Sequence, residues 1–153
     1  MKLYVLRHGI SLNLSEAKVS TDAERPLAET GREDIRAIAR HLLNQGASVE
    51  VIFCSPLRRA RETAEEAATI LKPNKGITVF EPLSNKIPGS ALFDCVQKIA
   101  TKMSELLLVG HQPQLGEMVA HVLGSSPDIR PGGLVALEIG NDGKAVLLWH
   151  KNP

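Results

Sequence analysis

Aromatic residues are scarce in this chain of 153 residues, making up 3% of the sequence. That scarcity argues against recognition of nucleic-acid bases by stacking. Positive and negative charges are also nearly balanced, because 18 Lys and Arg residues and 17 Asp and Glu residues give a formal net charge of +1. The chain therefore has no bulk basic field, and any anion site must be local. We expect neither nucleic acid nor a membrane among its partners.

Long hydrophobic runs and cysteine frameworks are missing as well. No apolar stretch approaches the roughly 20 residues of a membrane span. The N-terminal residues run directly into a predicted strand and lack the features of a signal peptide. The only two cysteines, Cys54 and Cys95, form neither a disulfide framework nor a metal-ligand pattern. These features predict one globular domain over residues 1–153, a cytoplasmic location, and no metal or other cofactor.

Short apolar runs alternate with stretches of helical periodicity along the whole chain. Strands are predicted at residues 2–6, 49–54, 76–80, 106–109, 134–139 and 145–149. Helices are predicted between them, with N-terminal caps at Thr30, Ser55 and Ser90. Residues 10–29 show no sustained period and predict a long loop of the kind that is often functional. The order predicts an α/β fold in three layers: a mostly parallel sheet, helices on both faces, and a C-terminal antiparallel hairpin.

Polar side chains of unusual chemistry follow three of the predicted strands. Arg7 and His8 end the first strand, Ser55 and Arg59 follow the second, and His111 ends the fourth. Because parallel strands present their carboxyl ends on one side of a sheet, we expect these groups to meet in one crevice. Guanidinium groups bind phosphoryl oxygens bidentately. The sequence therefore predicts a phosphate site, with His8 as a nucleophile and Arg7 as an anion clamp.

Other charged or reactive side chains near these motifs are given no role. Arg58 and Arg61 suit the solvated face of an amphipathic helix, whereas Arg59 has a different helical phase. Cys54 is predicted to be a small core hydrophobe. The three remaining histidines are predicted to lie on helix or strand surfaces without a function: His41, His121 and His150.

The same motifs resemble those of a known family. The chain is similar to the histidine phosphatase superfamily, in the branch that includes cofactor-dependent phosphoglycerate mutases. Four motifs carry this resemblance: Leu6-Arg7-His8-Gly9, Arg25-Pro26-Leu27 with Thr30-Gly31, Ser55 to Ala60 with Thr63, and Val109-Gly110-His111. Its small size and spacing most closely resemble the SixA-type phosphohistidine phosphatases. The resemblance implies a phosphoglycerate mutase-like fold. It also implies that His8 carries a covalent phosphoryl group, oriented by a carbonyl near Gly9, while the phosphoryl oxygens are held by Arg7, Arg59 and His111.

A general acid is not evident in this sequence, and its absence bears on the substrate. Mutases and alkyl phosphatases of the family use Glu or Asp to protonate the leaving oxygen. Glu81 is the only carboxylate in residues 80–89, and Ile10 stands where mutases typically carry Glu. An alkoxide needs an acid in order to leave, whereas the imidazole of a phosphohistidine needs little help. We therefore expect the substrate to be phosphohistidine in a protein, such as a phosphotransfer domain, or another activated phosphate, rather than a sugar phosphate. We also expect the enzyme to be a monomer.

Two alternatives remain open from the sequence. The chain could be a broad phosphomonoesterase of small phosphorylated substrates, with Glu81 or a residue of the 10–29 loop as the acid. It could also be a phosphate-binding or phosphoprotein-binding module without turnover. The predicted nucleophile argues against the second alternative, because a binding module does not need one.

Overall fold

The computed structural model describes residues 1–153 and contains one six-stranded sheet. The strands and helices in chain order are β1 (Lys2–Arg7), α1 (Leu14–Ala17), α2 (Glu29–Asn44), β2 (Val51–Cys54), α3 (Arg58–Leu71), β3 (Ile77–Val79), α4 (Gly89–Ile99), β4 (Glu105–Gly110), α5 (Gln114–Leu123), β5 (Leu134–Ile139) and β6 (Ala145–Lys151). The strand order across the sheet is β3-β2-β4-β1-β5-β6. The first four strands are mutually parallel, and β5 and β6 are antiparallel. The predicted α/β fold with its antiparallel C-terminal strands is confirmed.

Two hydrophobic clusters lie on the two faces of the sheet. The alternation along β1 divides its side chains, with Leu3 and Val5 in one cluster and Tyr4 and Leu6 in the other. The first cluster includes α4 and α5, and the second includes α2 and α3. Residues 106–109 of β4 are fully buried, as expected for a strand covered on both faces. None of the helices combines the length and apolar character needed to cross a membrane.

The predicted capping box at Thr30 is wrong, because α2 begins at Glu29 and its N-cap lies two residues before Thr30. Its N-cap is Ala28, which has no side chain that could accept a hydrogen bond. Tertiary contacts set the start instead. The N–H of Ala28 donates to the carbonyl of Ile10 at 2.9 Å, and Gly31 packs so closely on Ile10 that a Cβ there would overlap its backbone. Packing against the loop therefore outweighs the local capping signal.

Ser55 and Ser90 are not N-caps either. The backbone N–H of Ser55 donates to the carbonyl of Val109 at 3.0 Å, so Ser55 still pairs with β4, and α3 begins only at Arg58. Helix α4 begins at Gly89, whose N–H donates to a Glu side chain of α5 at 3.1 Å. In both cases a partner distant in sequence fixes the helix start.

Residues 10–29, which we call the rim segment, are more ordered than the predicted loop. They contain α1, which Asn13 and Glu16 cap reciprocally, and a single 3-10 turn at Asp22–Glu24. An isolated bridge between Ser11 and Leu27 closes the segment at its base. The rim segment contains no buried helical residue, and Leu27 is its one buried side chain, so its order comes mainly from the reciprocal cap and a few hydrogen bonds.

Candidate active site

A cavity of about 400 Å³ lies at the carboxyl ends of β1, β2 and β4. Ten residues line it, and none of them is acidic: Arg7, His8, Ile10, Ser11, Arg25, Arg59, Asn85, His111, Gln112 and Pro131. The four predicted site residues are all among them. We call these four the pocket floor: Arg7, His8, Arg59 and His111. Cavity and floor lie at the strand ends where ligands bind in α/β folds.

His8 follows the last residue of β1, and a backbone carbonyl fixes its ring. Its Nδ1 lies 2.8 Å from the carbonyl oxygen of Gly9. Because a carbonyl only accepts hydrogen bonds, Nδ1 carries the proton, and Nε2 of the neutral ring is left with a free lone pair. Burial, together with the charges of Arg59, Arg7 and Arg25, lowers the pKa of His8 to about 4. The ring is therefore neutral at neutral pH, with an unprotonated Nε2.

The backbone around His8 is fixed from several sides. The N–H of His8 donates to the carbonyl of Gly110 at 3.0 Å, which joins it to the end of β4. The N–H of Gly9 donates to Thr63 Oγ1 at 3.1 Å, and the hydroxyl of Thr63 donates to the carbonyl of Arg59 at 2.7 Å. A Cβ at position 9 would lie 3.0 Å from a carbonyl oxygen of α2, so a larger residue here would require that neighbour to shift by a few tenths of an ångström. These contacts tie β1, α2 and α3 together beside His8.

His111 lies beside His8, with its ring centroid 5.2 Å away. It is 3% exposed, and its Nε2 lies 2.7 Å from Ser55 Oγ. Burial, followed by the positive charge that His8 and Arg59 would add, lowers the pKa of His111 to about 3. Its Nδ1 is buried and has no hydrogen-bond partner within the protein. A buried polar atom without a partner in a polar cavity is a natural contact for a ligand.

The two arginines of the floor are held by contacts that leave donors free. Arg7 Nη1 donates to the carbonyl of Ile129 at 3.0 Å, while its Nε is buried and without a partner. Arg59 belongs to the first turn of α3 and is 9% exposed. Its two terminal nitrogens donate to Asp22, at 2.9 Å to the carbonyl and 3.0 Å to the carboxylate. A guanidinium has five N–H donors, so each side chain retains donors for an anion.

The sequence prediction missed Arg25, a third arginine in the cavity. Its Nε donates to the carbonyl of Leu12 at 2.8 Å and its Nη2 donates to Ser11 Oγ at 2.9 Å. Its Nη1 contacts the carboxylate of Asp22 at 3.0 Å. Asp22 therefore bridges Arg25 and Arg59, and these two guanidinium groups lower the pKa of its carboxyl group. The motif Arg25-Pro26-Leu27 was the available signal, but it did not specify how the rim segment folds over the pocket.

Asn85 and Gln112 form the opposite wall of the cavity and were also missed. Asn85 Nδ2 donates to the carbonyl of Gln112 at 3.1 Å, and Asn85 Oδ1 accepts from the N–H of Gln114 at 3.2 Å. Asn85 has a positive φ of 68°, a conformation that Asn tolerates well. This wall is neutral, and its amide groups can form hydrogen bonds but cannot act as acids at neutral pH.

Three residues considered from the sequence lie outside the cavity: Arg58 and Cys54, which have no predicted role, and Glu81, the candidate acid for the phosphomonoesterase. Arg58 is exposed and pairs with Glu62 at 3.4 Å, as predicted for a solvated face. Cys54 is fully buried, and burial raises the pKa of its thiol to about 11. The carboxylate of Glu81 is 69% exposed, lies 4.0 Å from Lys86 and does not line the cavity.

Sequence and structure comparisons place this chain in a family. The sequence model of the histidine phosphatase superfamily (branch 1) matches residues 3–83. A protein of Picosynechococcus sp. is 34% identical over 92% of this chain and 86% of its own length. The phosphohistidine phosphatase SixA of Escherichia coli is 23% identical over 100% of this chain and 94% of its own length. A structure of the protein histidine phosphatase SixA complexed with tungstate superposes with a TM-score of 0.88, at 23% identity, covering 100% of this chain and 97% of that one.

The fold and the family match define the class of protein as a phosphatase with a phosphoglycerate mutase-like architecture. The chain belongs to the histidine phosphatase superfamily, branch 1. The resemblance to SixA-type phosphatases, inferred from four short motifs, is thereby confirmed at the level of sequence and of fold.

Proposed function

We propose that this chain hydrolyses phosphohistidine in a protein, through a covalent phosphoryl group on His8. The observation that carries the proposal is the hydrogen bond from His8 Nδ1 to the carbonyl of Gly9, because it leaves Nε2 free to attack. Arg7, Arg59 and His111 line the same cavity as this nucleophile. Their donors suit the oxygens of a phosphoryl group better than any neutral ligand.

The proposed reaction has two displacements at phosphorus. His8 Nε2 attacks the phosphorus of a substrate ring that is protonated on its other nitrogen. The bond from phosphorus to the substrate nitrogen breaks, and because that ring already carries a proton it leaves as a neutral imidazole, while the phosphorylated His8 ring keeps its proton on Nδ1. Water then attacks the phosphoryl group on His8, the phosphorus–His8 bond breaks, and inorganic phosphate leaves as the water loses a proton to solvent. Arg7 and Arg59 stabilise the charge on the phosphoryl oxygens in both steps.

The choice of substrate rests on the absence of an acid in the cavity. None of the ten lining residues is a carboxylic acid. Asp22 lies close by, but Arg25 and Arg59 lower its pKa and keep it ionised, so it has no proton to give near neutral pH. An alkoxide leaving group needs a proton donor, whereas imidazole leaves with little assistance. The absence of an acid therefore favours phosphohistidine, or another activated phosphate, over an alkyl phosphate.

A broad small-molecule phosphomonoesterase is the second candidate that the sequence left open. It requires an acid from Glu81 or from the rim segment. The exposure of Glu81 and the ionised state of Asp22 both weigh against that requirement. The third candidate, a binding module without turnover, has no use for the free Nε2 of His8.

The substrate proposal is tested by comparing an N-phosphorylated imidazole with an alkyl phosphate in the same assay. A general acid contributes about 10²- to 10⁴-fold to such reactions, so we expect kcat/KM to favour the phosphoramidate by at least about 10²-fold. A phosphohistidine-containing phosphotransfer protein should be dephosphorylated as well. Comparable kcat/KM values for the two small substrates would instead favour the phosphomonoesterase.

A further inference from the structure

A buried contact between Ser55 and His111 determines which nitrogen of the His111 ring carries the proton. Ser55 Oγ lies 2.7 Å from His111 Nε2, and both residues are almost fully buried, at 0% and 3% exposed. Ser55 is held by its own backbone, since its N–H donates to the carbonyl of Val109 at 3.0 Å. The hydroxyl therefore occupies a fixed position beneath the imidazole.

The hydrogen bonds of Ser55 determine which atom donates in this contact. Its Oγ already accepts the N–H of Leu57 at 3.2 Å. A hydroxyl has one proton to donate, and a buried hydroxyl that donates to nothing is costly. No contact other than His111 Nε2 accepts the Ser55 proton. The hydroxyl of Ser55 therefore donates, and His111 Nε2 accepts.

The direction of this bond fixes the tautomer of His111. A neutral imidazole has one donor and one acceptor nitrogen, so an accepting Nε2 requires the proton on Nδ1. His111 Nδ1 is the buried atom of this ring that has no partner in the protein. The lowered pKa of His111 agrees with a neutral ring. His8 and His111 thus carry their protons on the same ring position, but only in His111 does that proton remain free.

We propose that Ser55 is a positioning residue, whose hydroxyl fixes the Nδ1-protonated tautomer of His111 so that Nδ1–H can donate to a phosphoryl oxygen. The inference rests on the proposed function, because it assigns His111 to the phosphoryl group. It gives the two histidines different roles. His8 offers an unprotonated nitrogen that attacks phosphorus, whereas the protonated Nδ1 of His111 donates a hydrogen bond to a phosphoryl oxygen.

The first measurement is the protonation state of the His111 nitrogens by ¹⁵N NMR on the free protein near pH 7. The native chain should show a protonated Nδ1 and an unprotonated Nε2. Ser55→Ala should show a mixture of tautomers, and Ser55→Thr, which keeps the hydroxyl, should restore the native pattern. A native chain protonated at Nε2 would overturn the proposal, whatever its activity.

The second measurement is the affinity for inorganic phosphate, which does not depend on turnover. Ser55→Ala should weaken phosphate binding by about two- to tenfold, because only the fraction of His111 rings that carry the proton on Nδ1 can donate to phosphate. Ser55→Thr should recover most of that loss. Ser84→Ala, which removes another buried serine hydroxyl outside the cavity, is the matched control and should bind phosphate as the native chain does.

The outcomes separate this inference from the proposed function. If Ser55→Ala changes the tautomer but leaves phosphate affinity and turnover at native values, Ser55 does not position His111 for the phosphoryl group. If the tautomer and phosphate affinity respond as expected while the native chain turns over no phosphorylated substrate, the positioning stands and the hydrolase proposal fails. Thermal unfolding of each variant distinguishes either result from a loss of fold.

Discussion

The floor of the pocket and the rim segment above it are built in different ways. The floor residues lie at strand ends or in the first turn of α3, and backbone hydrogen bonds from neighbouring strands fix the chain around them. The rim segment is joined to the body through a small number of contacts, such as the salt bridge from Asp22 to Arg59 at 3.0 Å. Ile10 and Leu14 of the rim are 44% and 42% exposed.

This difference suggests a division of function. Reacting groups need accurate placement, which strand ends and buried hydrogen bonds provide. The exposed rim adds charge and contact area around the mouth of the cavity without carrying the nucleophile. We therefore expect changes in the floor to lower the rate of the chemical step. Changes in the rim should act mainly on binding.

The largest expected difference is between two adjacent arginines of α3. Arg59→Ala removes a floor donor and should lower kcat/KM by about 10²- to 10³-fold, as for other losses of a transition-state donor. Arg58→Ala removes the same charge one residue away and should change kcat/KM by less than about twofold, because Arg58 is exposed and pairs only with groups outside the cavity. Steady-state kinetics on both variants measure this contrast. Similar losses in the two would contradict the assignment of Arg59 to the floor.

The pH dependence tests the floor in the native chain. Burial lowers the pKa of His8 to about 4 from the ordinary 6.5, and the neutral ring is the proposed nucleophile. After correction for the titration of the substrate itself, we therefore expect kcat/KM to stay level from pH 8 to about pH 5 and to fall only as the pH approaches about 4. A loss of activity centred near pH 6.5 would show that His8 titrates like an exposed histidine.

The free energy of unfolding, like the activity, should decrease at low pH. The folded-state pKa values of His8 and His111 lie below the ordinary value of 6.5, at about 4 and about 3. Between about pH 6.5 and pH 3, the unfolded chain binds more protons than the folded chain. The free energy of unfolding should therefore fall as the pH is lowered through this range. Denaturant titrations at several pH values measure the slope, which should be smaller for a His111→Ala variant.

The smallest expected effect belongs to the rim. Asp22→Asn removes a negative charge between Arg25 and Arg59 but keeps the backbone carbonyl that Arg59 contacts. Inorganic phosphate should bind about threefold more tightly, because less negative charge competes for the same guanidinium groups. Glu24→Gln is the control, since it makes the same charge change in the same 3-10 turn. Equal effects in the two variants would mean that only net charge matters.

The parts of the fold that could be predicted from sequence are those with local signals. The apolar run of β4 and the hairpin between β5 and β6 give strong local patterns, and both are present. The polar residues that follow β1 and β4 could be placed in one crevice, because parallel strands share an edge. Topology alone therefore brings His8 and His111 together.

The parts that could not be predicted depend on contacts between distant residues. Ser55 has the residue type and position of an N-cap, yet its hydroxyl contacts His111, which is 56 residues away in sequence. The order of the rim segment depends partly on a bridge at its base and on contacts to α3, which no local pattern specifies. Arg25 reaches the cavity only through that fold, so no spacing rule could assign it.

The most direct test of the central claim is to look for the phosphoryl group on His8. The native chain, incubated with a substrate carrying a radiolabelled phosphoryl group and quenched rapidly, should hold an acid-labile label on a peptide containing His8. His8→Ala should hold no label and release no phosphate above background. Turnover by the native chain without any labelled intermediate, or native turnover by the His8→Ala variant, would contradict the account.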